Sequence, residues 1–62
     1  MEKYGLLTDG MKLYFGQYQN EWLALAAMSV DGGPVRLLWN PAMNVLPMDI
    51  SPDGKFLLVE RY

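Results

Sequence analysis

Ile50-Ser51-Pro52-Asp53-Gly54-Lys55-Phe56-Leu57-Leu58-Val59 is the stretch that decides the fold. Its centre is a turn: Pro presets its own φ, Asp bonds back to the local backbone, and Gly supplies positive φ. Apolar residues flank that turn on both sides. The same arrangement occurs 44 residues earlier, in Leu6-Leu7-Thr8-Asp9-Gly10-Met11-Lys12-Leu13-Tyr14-Phe15. Asp9 lies over Asp53, Gly10 over Gly54, Leu13 over Leu57, and further on Tyr18 over Tyr62. Leu6 over Ile50, Tyr14 over Leu58 and Phe15 over Val59 are matches of apolar type.

Other turn signals punctuate the interval between the two copies. They are Gln19-Asn20, Asp31-Gly32-Gly33-Pro34 and Asn40-Pro41. The segments between them are short, as in a meandering all-β fold. Strands are expected over 13–18, 35–39, 44–50 and 56–59. Pro47 lacks an N–H donor, so its strand is expected to be irregular or at an edge. Residues 21–30 are rich in Ala, Leu and Met, the best helix formers. Their length and the Gly-Gly turn that follows favour a strand over 22–30. That strand and 56–59 are apolar on both faces, so both need cover on both sides. The expected packing residues are Trp22, Leu23, Leu25, Met28, Phe56, Leu57, Leu58 and Val59.

A period of about 40–45 residues built from short strands is the mark of a β-propeller blade. The fold class expected is therefore all-β: a four-stranded antiparallel blade over about 6–50, with 51–62 opening a second. The strand before Asp9 is shorter than the one before Asp53, which fits a piece of a longer repeat. The alternative is a compact small barrel that acts as a monomer.

Composition narrows the function. The chain has 62 residues, no cysteine and no histidine. Disulfides, thiolate metal sites, zinc catalysis and Ser-His triads are excluded. A chain this short buries only roughly 60% of its unfolded surface, so oligomerisation or further blades would help it. Net charge is −2, and the five basic residues (Lys3, Lys12, Arg36, Lys55, Arg61) form no patch. Nucleic-acid binding is not expected of this segment. No run approaches the ~18 apolar residues of a membrane span. Met1 to Gly5 lacks the apolar stretch of a signal peptide.

Candidate chemical residues read better as structure. Asp9, Gly10, Asp31, Gly32, Gly33, Ser51, Pro52, Asp53 and Gly54 form turns rather than metal or catalytic sites. Asp49 with Asp53 has no pocket or partner to make an acid pair. Trp22, Trp39, Tyr14 and Tyr18 read as packing more readily than as a ligand cage. Of the five methionines (Met1, Met11, Met28, Met43, Met48), Met28 reads as core. Ser29 and Ser51 have no base. No enzyme activity and no cofactor is expected.

Ser51-Pro52-Asp53-Gly54-Lys55 resembles the signature of TolB-type, WD-like β-propeller repeats. Thr8-Asp9-Gly10-Met11-Lys12 resembles the same turn, with departures at Thr8 and Met11. Met28-Ser29-Val30-Asp31-Gly32-Gly33 with Val35-Arg36-Leu37-Leu38 is similar to that family's third and fourth strands. The resemblance implies about six blades around a channel and a platform for protein or peptide partners; the absence of cysteine is compatible with bacterial cytoplasm or periplasm and decides neither. The family also includes propellers of winged-helix DNA-binding regulators and of serine peptidases, which are the alternative parents. For the isolated chain the resemblance implies stacking with other blades or with copies of itself.

Overall fold

A computed structural model describes residues 4–62. Met1, Glu2 and Lys3 lie outside the described residues, and with them part of the stretch read for a signal peptide. The elements are β1 (Tyr4–Thr8), β2 (Lys12–Gln19), β3 (Trp22–Ser29), β4 (Arg36–Trp39), β5 (Val45–Ile50) and β6 (Leu57–Arg61). The first four form one antiparallel sheet in the order β1-β2-β3-β4, and β5-β6 form a second. The protein is all-β.

The segment with helical composition is β3. Every residue from Trp22 to Ser29 pairs with β2, from Gln19↔Trp22 to Lys12↔Ser29. On its other edge Leu25, Ala26 and Ala27 pair with β4. Two-sided pairing outweighs the small intrinsic helix preference of Ala and Leu. The β2–β3 turn is only two residues, Asn20 and Glu21, and Asn20 takes φ 60°. Asn tolerates that left-handed conformation better than most residues. The β3–β4 turn uses Gly32 and Gly33 at φ 100° and 104°, with the Gly32 N–H donating to Ser29 O at 3.1 Å.

Residues 44–50 were expected to complete the first sheet. Instead, among the described residues, β5 pairs only with β6, and β1 holds the fourth place in the first sheet. The chain turns at Asn40-Pro41, and Asn44 pins the corner: its Oδ1 accepts the Leu23 N–H at 2.8 Å. Beyond it, Asn44 and Tyr62 exchange both backbone bonds, at 2.7 and 2.9 Å. That commits the strand to β6. Asn44→Ala should cost about 1–2 kcal/mol, because a partly buried N–H loses its acceptor. Asn44→Asp should restore most of it. Thermal unfolding of the pair checks this.

In an antiparallel ladder, bonded and non-bonded pairs alternate. The bonded Asn44–Tyr62 pair therefore turns the backbone groups of Val45 and Pro47 away from β6. Those carbonyls point at the first sheet, where two glycines receive them. A Cβ on Gly5 would lie 2.9 Å from Pro47 O, and one on Gly16 would lie 3.2 Å from Val45 O. Pro47 thus sits where its missing N–H interrupts no ladder bond, and the pairing is bulged between Pro47 and Asp49. Both features match the irregular strand expected there.

β5 contacts β1, β2 and β3, most extensively β1. The core is Phe15, Leu23, Ala24, Leu25, Ala26, Ala27, Val45 and Pro47. Leu23 to Ala27 are five consecutive buried residues, so both faces of β3 are covered within one chain. β6 differs. Leu57 and Val59 are half-buried, while Leu58 is exposed and so is Phe56 just before it.

Candidate interaction surface

The two Asp-Gly turns lie side by side. Thr8 and Asp9 of the first, with Ile50, Ser51, Pro52, Asp53 and Gly54 around the second, line one cleft of about 310 Å³. Each aspartate is occupied by its own turn. Asp9 Oδ1 accepts the N–H groups of Met11 and Lys12, both at 2.8 Å. Thr8 Oγ1 accepts the Gly10 N–H at 3.0 Å and donates to Lys12 O at 2.8 Å. Asp53 Oδ1 accepts the Ser51 hydroxyl at 2.6 Å and the Lys55 N–H at 3.0 Å. Gly10 and Gly54 take φ 93° and 74°.

These bonds favour the ionised carboxylates. The Lys12 and Met11 N–H groups hold Asp9 below its ordinary 3.8. The Ser51 hydroxyl and then the Lys55 N–H do the same for Asp53. Burial, and next the bond its hydroxyl donates to Asp9 Oδ2, push the Tyr14 phenol up. A carboxyl lowered on folding adds stability that is complete above its unfolded value and vanishes as pH falls through the folded one. Both aspartates are exposed, so the effect is modest. The double variant Asp9→Asn, Asp53→Asn should melt slightly below the parent at neutral pH and converge with it as pH falls below about 4, so that its own fall with pH is flatter. A pH series of melting curves reads this directly.

Asp49 is also taken locally, its Oδ1 accepting the Ile50 N–H at 2.8 Å. Among the described residues no group of three or more acidic residues is placed to share a metal ion. Asp31 lies in its turn, with its N–H donating to Ser29 Oγ at 3.2 Å. The aromatic residues have separate partners. Tyr18 packs edge-on against Tyr4, with ring centroids 5.6 Å apart. Trp39 lies under the Arg61 guanidinium at 5.8 Å. Tyr14 bonds to Asp9, and Trp22 stands at the β2–β3 turn.

Of the expected packing residues, Leu23 and Leu25 are buried, and Met28, Leu57 and Val59 are half-buried. Trp22, Phe56 and Leu58 are exposed, the last two at 72% and 64%. All four residues of β4 are exposed, including Leu37, Leu38 and Trp39. Met11, Met43 and Met48 are exposed too. Exposed apolar side chains are contiguous on β4, at Leu37, Leu38 and Trp39, and are otherwise spread over the strands and turns, from Leu6 on β1 to Leu58 on β6. A second recess, of about 260 Å³, opens beside β4 between Lys12, Ala27, Pro34, Arg36 and Leu38.

Three positions were missed in the sequence: Gly5, Gly16 and Asn44. Gly16 did carry a signal, because a lone glycine inside an aromatic strand marks close backbone approach. Asn44 carried none, since its partner Leu23 is 21 residues away.

No family model, no curated protein and no solved structure matches this chain.

Proposed function

We propose that this chain is a structural and interaction module: a β-propeller blade with the first hairpin of the next, which stacks with further blades or with copies of itself to make a platform for protein or peptide partners. The observation that carries this reading is the recurrence of one hairpin. β1–β2 and β5–β6 are each joined by an Asp-Gly turn with a positive-φ glycine, 44 residues apart in sequence. Each has an irregularity in the pairing of its first strand, between Tyr4 and Leu7 and between Pro47 and Asp49. The two first strands, β1 and β5, lie against each other. Corresponding strands side by side are what adjacent blades provide.

The copies are not identical. Thr8 pairs with Leu13, whereas its counterpart Pro52 has no N–H and the second ladder closes at Ile50↔Leu57. The pairing is displaced by two residues. Because side chains alternate with period two, that displacement leaves each residue on its own face. The resemblance to TolB-type repeats supports the same reading.

Exposed Leu58 on the second sheet with Phe56 just before its β6, and Leu37, Leu38 and Trp39 on the first, are the surfaces for stacking. Light scattering at several concentrations is expected to show one discrete oligomer, and Leu58→Asp is expected to shift it to monomer. A wild-type chain that stays monomeric and cooperatively folded at every concentration would sink self-stacking.

A further inference from the structure

Set against its counterpart in the repeat, one strand is a partner short. β2 is bonded on one edge to β1 and on the other to β3. Among the described residues its counterpart β6 is bonded only to β5. The Val30 N–H donates to Met11 O at 3.1 Å, which makes Met11–Val30 a bonded pair. Alternation along the β2–β3 register then makes Leu13–Met28, Phe15–Ala26 and Gln17–Ala24 bonded pairs as well. Phe15 and Gln17 thus turn their N–H and C=O groups toward β3. Their counterparts 44 residues on are Val59 and Arg61. The bonded Asn44–Tyr62 pair independently sets the phase of β6. Val59 pairs with Pro47 and Arg61 with Val45, both in non-bonded positions. Their backbone groups therefore point outward, at the free edge. Two separate hydrogen-bond patterns agree on where a third strand belongs.

We infer that the outer edge of β6 is a strand-addition site, and that its occupant is an antiparallel segment with the pattern of β3. The inference rests on the repeat reading above. β3 shows what the segment looks like: apolar on both faces, with small residues, Ala24 and Ala26, opposite Gln17 and Phe15. A second copy is the wrong source. Its β3 is bonded on both edges and buried from Leu23 to Ala27, so freeing it would dismantle the sheet. The occupant is an unpaired extended segment, captured by main-chain hydrogen bonds with side-chain pattern adding specificity.

The test uses the full chain and a labelled synthetic peptide of residues 20–31, read by fluorescence anisotropy. Saturable binding is expected, competed by unlabelled peptide. Two further peptides carry backbone N-methyl groups at alternate residues, one at odd and one at even positions. Successive N–H groups of a strand point to opposite sides, so one of the two is expected to lose binding by about tenfold or more and the other to keep it. The variant Val59→Pro removes an outward N–H while sparing the β5 ladder, and is expected to lose binding. Should that variant not fold, the methylated pair decides alone. No binding to the wild-type chain, equal binding of both methylated peptides, or full binding to a folded Val59→Pro variant each overturns the inference. A discrete oligomer without peptide binding would leave blade stacking standing and remove only the edge site.

Discussion

Truncating Phe15 to alanine should cost about 3–5 kcal/mol, the range for deleting a buried aromatic ring. Phe15 is 0% exposed at the middle of β2. Its cross-strand partner is Ala26, with Ala24 the next residue on the same face of β3. Neither alanine has atoms to move into the space the ring leaves, so the cavity would persist. Domains of this size have roughly 3–9 kcal/mol of total stability, at about 0.05–0.15 kcal/mol per residue. Each kcal/mol moves the melting temperature by about 4–8 °C. Phe15→Ala should therefore lower it by more than about 12 °C and leave a large unfolded fraction at 25 °C. Met11→Ala, in the β1–β2 turn with its side chain 77% exposed, should stay within about 0.5 kcal/mol of the parent. Melting curves of both variants by far-UV circular dichroism make the comparison. A shift for Phe15→Ala no larger than that for Met11→Ala would mean β2 is not the buried centre of the sheet.

Gly5→Ala is the second large effect, expected at about 2–5 kcal/mol. Two costs combine. Gly5 sits at φ 63°, which charges a residue with a Cβ about 1–2 kcal/mol. That Cβ would then lie 2.9 Å from Pro47 O and 3.0 Å from Leu46 Cδ1. The Leu46 tip can rotate away, but the Pro47 carbonyl belongs to the backbone of β5. Relieving the overlap means lifting β5 off β1, at about 1–3 kcal/mol for overpacking. Gly10→Ala separates the two costs. Gly10 has φ 93° and nothing within 4 Å of its would-be Cβ, so only the backbone cost of about 1–2 kcal/mol applies. Denaturant titration of both variants gives the difference. Equal losses would show that β5 does not press on β1 through Gly5.

The two glycines illustrate what a sequence displays and what it hides. Gly10 stands in Thr8-Asp9-Gly10, and its role is legible because every group it involves lies within a few residues. Gly5 stands in Tyr4-Gly5-Leu6, where nothing nearby explains it. Its reason is the Pro47 carbonyl, 42 positions along the chain. The same contrast separates the aspartates from Asn44. Asp9 and Asp53 bond to residues two or three positions away, while Asn44 reaches β3.

The sequence by itself determined the all-β class and the positions of the turns, Asp9-Gly10 and Asp53-Gly54 among them. Those follow from local chemistry: positive φ at glycine, side-chain bonds to nearby N–H groups, and the fixed φ of proline. With its length and its turns it also marked residues 22–30 as a strand against their helical propensity. Only the tertiary structure decided which sheet each strand joins. Apolar pattern says that a strand must be covered, but it does not say by what. That choice was made by the Asn44–Leu23 and Asn44–Tyr62 bonds, which hand β5 to β6, and by the space above Gly5 and Gly16, which lets its backbone lie against the first sheet.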